Sequence, residues 1–473
     1  MGGWGVAAGR GVLIATAGLL VALPLSRLLL DGRNRIRHLA WILVLLPFLT
    51  PALLIGYAYA THSCVALLDP TGKEILYMVL LCMRVTPVGA MALALLPRPL
   101  TPEACFCYKL AAKRNRCRCM RSIPAHLLFG LQGPALPRVT AGTLLFLLAF
   151  GEFEMASLLG IKTWTVTLFD AQTGGLPLGE SFRLVKIPLL VEGTSLLLLF
   201  GLVLRKLCRS EEGSRPEEGP RSGIQSILLW SYLALSLALL VAVPGFLVLI
   251  DLIKGLALLG SSFTLWKEVA ASVLLGGSTA ILAFLLAASA TRKKKISVAL
   301  LGILSLPGLL GPLVLGLAVL SLFQASFLSR VYDTPIPLLL ALTLLLLPFA
   351  LVLRLALIAS TPAECVHLAV LLRRGASFNI RRSSRDLLWK LKTRKFALVI
   401  FLLFCWGYFD LTASALLAPS DMTPVHVRLY NFMHYGRSAV LSAMVAVVTL
   451  LPVFLALLGV GAWRLLERMK PHG

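Results

Sequence analysis

Apolar residues along this chain come in long blocks separated by short polar stretches. The blocks run to about 20 residues, the length of helix that crosses a bilayer. Eleven spans are predicted on this pattern. Five lie in the first half: Gly11–Leu30, Ala40–Ala60, Ile75–Leu96, Val139–Gly160 and Ile187–Leu204. Six lie in the second: Ile227–Ile250, Val269–Ala290, Val298–Phe323, Ile336–Ile358, Phe396–Ala418 and Ala439–Gly461. The expectation is an all-α polytopic membrane protein with about 11 transmembrane helices. Composition points the same way. Charged residues make up 14% of the chain, where a soluble domain carries about 25%, and the mean hydropathy is +0.88.

The chain also repeats itself at an offset of roughly 260 residues. Pro47 to Pro51 leads to Gly56-Tyr57-Ala58, as Pro307 to Pro312 leads to Gly316-Leu317-Ala318. Thr101-Pro102-Glu103-Ala104-Cys105 recurs as Thr361-Pro362-Ala363-Glu364-Cys365. Gly151-Glu152-Phe153-Glu154 matches Gly407-Tyr408-Phe409-Asp410, and Val166 to Asp170 matches Val427 to Asn431. The units are too long for a solenoid. Two homologous halves in a membrane chain are instead the design of transporters, with two lobes around a shared path. The halves read as 1–206 and 226–473, joined by a polar linker at 207–225 that holds Glu211, Glu212, Glu217 and Glu218. The span Ile227–Ile250 has no counterpart in the first half, so the arrangement is five plus six.

The net charge of +24 raises the question of a nucleic-acid partner. Its distribution answers no, because Lys and Arg crowd into alternate loops: Arg33 to Arg37, Lys109 to Arg121, Arg205 to Arg209, Arg292 to Lys295, Arg373 to Lys395 and Arg464 to Lys470. This is the positive-inside asymmetry of a bilayer protein. It predicts a cytoplasmic C-terminus and, with eleven spans, an N-terminus outside. The first ten residues carry only Arg10, and no cleavable signal is expected there.

Two of the basic loops are long, Arg98–Arg138 and Ala359–Lys395, and they fall at equivalent places in the repeat. Each opens with Thr-Pro and an acidic residue. Thr as cap, Pro in the first turn and Glu at the positive end of the dipole together predict a short surface helix.

In these loops the chain resembles the fused permeases of ATP-binding-cassette importers, in particular the ferric-iron type, with thiamine permeases as relatives. Pro102-Glu103, Lys109-Leu110-Ala111-Ala112 and Pro137 resemble the family's first coupling loop, with Phe106-Cys107-Tyr108 where its Glu-Ala-Ala core stands. Pro362, Glu364 and Gly375-Ala376-Ser377 resemble the second. Phe150-Gly151-Glu152-Phe153 with Leu158-Leu159-Gly160, the run Leu411 to Leu417, and the run Pro424 to Gly436 resemble the flanking spans and a late outer loop. The resemblance covers nearly the whole chain apart from a missing first span. It implies the fold of a type I importer permease in a bacterial inner membrane. It also implies two copies of a cytoplasmic ATPase docked on the coupling loops, and a periplasmic binding protein that delivers substrate. No resident cofactor is implied. No Gly-x-x-x-x-Gly-Lys-Ser/Thr occurs, so nucleotide hydrolysis is assigned to a partner and the chain is read as a transport subunit rather than an enzyme.

Ionisable residues within apolar runs are costly and mark candidate paths. Glu152 and Glu154 near the outer end of one span, and Asp410 in its counterpart, are the candidate substrate-path carboxylates. Hard oxygen ligands of this kind suit ferric iron. A second reading makes them helix-end carboxylates that reach water or cap a broken outer helix. Tyr430 and His434, in the late outer loop, are candidates for contact with a delivered metal or with the binding protein. Arg84, Glu192 and Arg354 also fall in apolar runs, and Glu192 could pair with Arg84. Cys105, Cys107, Cys117 and Cys119 form a thiol quartet in the first basic loop. Their Cys-x-Cys spacing departs from the usual zinc pattern, and reduced cytosolic thiols are the expectation. Two other function classes remain open on sequence: an ion- or proton-coupled secondary transporter using Glu152, Glu154 and Asp410 as a relay, and a non-transporting scaffold with a metal-responsive cysteine loop.

Overall fold

In the computed structural model, the regular secondary structure of the described residues is entirely helical, with no strand among them. The described residues are 3–30, 34–60, 69–95, 107, 135–207, 223–259, 263–291, 298–325, 327–359, 363–375, 384, 387–433 and 438–468. Seven described helices are long and apolar enough to cross a membrane, and the number rises to nine if each of two bent helix pairs is one span. The protein is thus a polytopic helical membrane protein. The remaining two predicted spans, Ile187–Leu204 and Phe396–Ala418, fall on a long helix that carries charges and on a helix broken near its end.

The chain forms two compact units, Met1–Asp251 and Leu252–Gly473. The first contains α1 (Gly3–Leu30), α2 (Asn34–Leu49), α3 (Ala52–Ala60), α4 (Pro70–Leu95), α5 (Leu136–Phe150), α6 (Glu154–Leu158), α7 (Trp164–Thr173) and α8 (Leu178–Leu207). It ends in α9 (Gly223–Leu237), which passes through a π-helical turn at Ala238–Ala242 into α10 (Val243–Ile250). The second contains α11 (Leu252–Leu259), α12 (Phe263–Ala290), α13 (Val298–Leu309), α14 (Pro312–Phe323), α15 (Pro335–Ala359), α16 (Ala363–Gly375), α17 (Arg394–Tyr408), α18 (Thr412–Leu417), α19 (Val425–Met433) and α20 (Ala439–Arg468).

The units repeat one plan. α1 and α12 are each 28 residues long, α5 and α17 are each 15, and α8 and α20 are each 30. The packing repeats as well. α1 packs on α4 and α5 as α12 packs on α15 and α17, α3 packs on α6 as α14 packs on α18, and α7 packs on α8 as α19 packs on α20. The extra span α9–α10, which repeat counting groups with the second half, packs on α2 and α3 of the first unit, and Tyr59 Oη donates to the Leu239 carbonyl in its π-turn at 2.8 Å.

Small residues set the closeness of the three-helix cores, as expected where helices associate by packing rather than by exclusion of water. In the second unit Ala280, Ala283 and Ala287 of α12 are fully buried against Leu346, Leu347 and Ala350 of α15 and Leu403 of α17. In the first, Ile14 and Ala15 of α1 meet Leu80, Leu81 and Val85 of α4 and Leu145 of α5. The second apolar run of each repeat is bent at proline: by 64° between α2 and α3 and by 98° between α13 and α14. Pro51 and Pro312 lack an amide hydrogen and disfavour helix in the residue before them. Gly311 meets that demand with φ +85, a conformation that a side chain resists.

Candidate functional site

Each unit contains a joint where a core helix stops and a short helix starts, the first amides of the short helix held by one carboxylate. In the first, α5 ends at Phe150 and α6 begins at Glu154. The first N–H groups of a helix have no intrahelical partner. Glu152 supplies one from outside: Oε1 accepts from the Met155 amide at 2.6 Å, and Oε2 accepts from the Ala156 amide at 3.1 Å and from Tyr77 Oη at 3.0 Å. In the second unit, Asp410 Oδ2 accepts from the Ala413 and Ser414 amides at 3.0 and 3.1 Å at the start of α18. Both carboxylates are buried. Their negative charge sits at the positive end of a helix dipole, so a side chain that is costly in an apolar run becomes the element that breaks the run.

The expected span Phe396–Ala418 is therefore a helix, a capped joint and a short helix, while Leu136–Leu158 remains long and apolar enough to be one span across its joint. Hydropathy reads through the joint because Phe153, Met155 and Leu411 are apolar, and hydropathy carries no information on backbone direction. The joint also corrects the register of the repeat. The motif match sets Glu154 against Asp410, whereas the helix bounds shift it by two residues and set Glu152 against Asp410.

The repeated glycine is explained by the same joint. An added Cβ on Gly56 of α3 would lie 2.6 Å from Leu158 Cδ1 and 2.9 Å from Leu158 Cβ. On Gly316 of α14 it would lie 2.9 Å from Leu416 Cδ1. Leu158 is the last residue of α6 and Leu416 the last but one of α18, so each unit lodges the end of its short helix on a glycine just beyond the proline bend.

The loop that follows is held differently in the two units. In the first, Trp164 Nε1 donates to the Phe150 carbonyl and Thr165 Oγ1 to the Glu152 carbonyl, both at 2.8 Å. In the second, the Val425 amide donates to Ser272 Oγ at 2.8 Å, and the buried His426 ring packs edge-on against Tyr408 and Phe409. Burial pushes the His426 imidazole down to about 3. Nearby, Arg428 pairs with Glu268 of α12. Asp333, in the loop before α15, accepts from the Ser420 amide and hydroxyl at 2.9 and 2.8 Å, which hold its carboxyl below the usual range.

Among the described residues, the first unit alone adds a chain of polar side chains to its joint. Half-buried Glu74 accepts from Arg10 Nε and a terminal nitrogen at 3.1 and 2.6 Å, and the Arg10 guanidinium lies 5.5 Å from the centroid of the Tyr77 ring. Tyr77 reaches Glu152, on which Arg84 acts electrostatically. Arg84 is thus a neighbour of Glu152, and no ion pair joins it to Glu192, which lies on α8 against α5 and α7.

Among the other candidates, Glu154 is half-buried in the first turn of α6 and Tyr430 is buried on α19. Glu364 is exposed in the first turn of α16, which ends at Gly375. Glu103, Lys109, Leu110, Ala111, Ala112, Ala376, Ser377, His434, Cys105, Cys117 and Cys119 lie outside the described residues, and Cys107 is exposed. Among the described residues no group of three or more His, Cys, Asp or Glu is placed to hold a metal ion. Sequence reasoning missed Tyr77, Gly56 and Gly316 as parts of the joints, although the repeat signals both glycines.

α16 carries an exposed apolar ridge of Leu368, Leu371 and Leu372. Its Ala369 carbonyl accepts from Ser384 Oγ at 2.5 Å. No family model matches the chain, and neither a curated protein nor a solved structure is significantly similar to it.

Proposed function

We propose that the protein is the membrane permease subunit of an ATP-binding-cassette importer, with both lobes in one chain and about 11 spans. The observation that carries the reading is the repeated unit, in which a proline-bent helix, a carboxylate-capped joint and a 30-residue closing helix recur in the same order. Two such lobes suit alternating access. α16 adds to it. A short helix beginning with Glu364, set between core helices and displaying three leucines, has the form of a docking element for a cytoplasmic ATPase, and the basic residues around it suit the cytoplasmic side of a bacterial inner membrane. The first-repeat loop with Glu103 and Lys109 to Ala112 is its expected partner, and Gly375, Ala376 and Ser377 close the second. The substrate comes from a periplasmic binding protein, and ferric iron is the best candidate. Glu154, Tyr430 and His434 are the residues set aside for its path, while Glu152 and Asp410 shape the joints.

Uptake by membrane vesicles tests this reading. ATP-dependent iron accumulation that persists when an ionophore collapses the membrane potential is expected. Accumulation that follows the ion gradient and ignores ATP supports the secondary-transporter alternative and overturns the importer.

A further inference from the structure

Glu192 stands apart from the other buried charges. It lies on α8 among Leu189, Leu190, Leu196 and Leu197, with only 2% of its surface exposed. Its Oε2 atom is buried with no hydrogen-bond partner. A Cβ on Gly151 would come within 3.5 Å of its Oε1, so the carboxyl rests directly on the joint between α5 and α6.

The charged groups around it are accounted for elsewhere. α8 packs against α5 and α7, whose ionisable residues are Arg138 and Asp170, both exposed. At the joint, Glu152 caps α6 and Glu154 shares the sign of Glu192. On α8 itself Glu180, Arg183 and Lys186 are exposed, and Lys186 is six residues away, about 9 Å along the axis. Arg84 acts on Glu152, and Arg10 pairs with Glu74. An ionised carboxylate left alone in such surroundings is costly, and a bound cation removes that cost. The matching helix of the second unit, α20, contains no ionisable residue between Ala439 and Trp463.

We propose that Glu192 is a proton-binding site built against the joint of the first unit, and that the proton stays bound while the joint is closed. The occupant is a proton rather than a metal cation because, among the described residues, no group of three or more His, Cys, Asp or Glu is gathered to hold a metal ion. A single carboxyl group supplies too few ligands for a metal ion. Water entering an opened joint would let Glu192 ionise and release the proton, so the first unit alone would couple its opening to a proton. This inference stands independently of the importer reading.

Infrared spectroscopy of the purified full-length protein in lipid, at neutral pH, tests it. The expected result is a protonated-carboxyl band that shifts in heavy water, moves on labelling with carbon-13 glutamate, and is lost in Glu192→Gln but kept in Glu152→Gln. The label separates the band from those of aspartates, and Glu192→Asp, which keeps a carboxyl at the site, should replace it with an unlabelled band if Glu192→Gln fails to fold. Absence of the band overturns the proposal, as does its survival in Glu192→Gln. A band that emerges only when sodium and potassium are removed also overturns it, since a metal cation is then the occupant.

Discussion

Asp410 and Glu152 replace an amide's lost helical partner with a carboxylate, and the cost of losing them follows from that role. Asp410→Ala leaves the Ala413 and Ser414 amides without their buried acceptor. A loss of about 1 kcal/mol or somewhat more is expected in thermal unfolding, with Asp410→Asn much milder because its side-chain oxygen still caps. Gly56 and Gly316 separate by degree. Gly56→Ala forces the new methyl onto Leu158 Cβ, which cannot rotate away, whereas Gly316→Ala meets only the far end of Leu416. The first is expected to cost about 1–3 kcal/mol and the second clearly less, and pairing Gly56→Ala with Leu158→Ala should recover part of the loss. Equal effects of the two glycine substitutions would contradict the joint packing. His426 sets a pH dependence. Its imidazole ordinarily titrates near 6.5 and does so at about 3 when folded. Between those values the unfolded chain holds a proton that the folded chain refuses, so stability falls as pH drops from about 6.5 towards 3 and returns as pH rises. His426→Phe, which suits the aromatic surroundings, should flatten the fall in unfolding temperature between pH 7 and pH 5. Parallel slopes for the two proteins would place the effect elsewhere.

At the scale of elements, hydropathy blocks located the cores of the helices, because burial in lipid and helix length leave a direct mark on sequence. Proline marked the bends at Pro51 and Pro312 for an equally local reason. The joints were half legible. Glu152 and Asp410 stood out as charges in apolar runs, and capping was one of two readings of them, but the motif match paired Asp410 with the wrong glutamate. A two-residue slip leaves aromatic and acidic residues similarly spaced, and only the helix ends resolve it. Tyr77 was invisible because a hydrogen bond across 75 residues leaves no local pattern. The pairing of Glu192 with Arg84 failed because sequence gives the presence of both charges and not which helices pack together. α16 was expected from its Thr-Pro-acidic start, and its leucine ridge is the feature to test. Leu368→Glu with Leu371→Glu changes exposed positions, so unfolding should shift by no more than about 0.5 kcal/mol while capture of an ATPase from solubilised membranes is lost. Retained capture would remove α16 from the coupling role.

For the whole molecule, the two units share a plan and differ in charge. The chain Glu74–Arg10–Tyr77–Glu152 and the isolated Glu192 belong to the first, whereas α15 runs from Pro335 to Leu353 without an ionisable residue. Duplication explains the shared plan, and the charge asymmetry shows that the two joints are not chemically interchangeable. The account rests on the claim that this chain is the complete membrane part of an ATP-driven importer. Native mass measurement of the tagged protein, gently solubilised from its own membrane, tests that claim most directly. One copy of the 51.1 kDa chain bound to two copies of a soluble ATPase, or to a pair of related ones, is predicted. A chain that leaves the membrane alone, or only with further copies of itself, while still transporting in lipid vesicles without ATP, would contradict it.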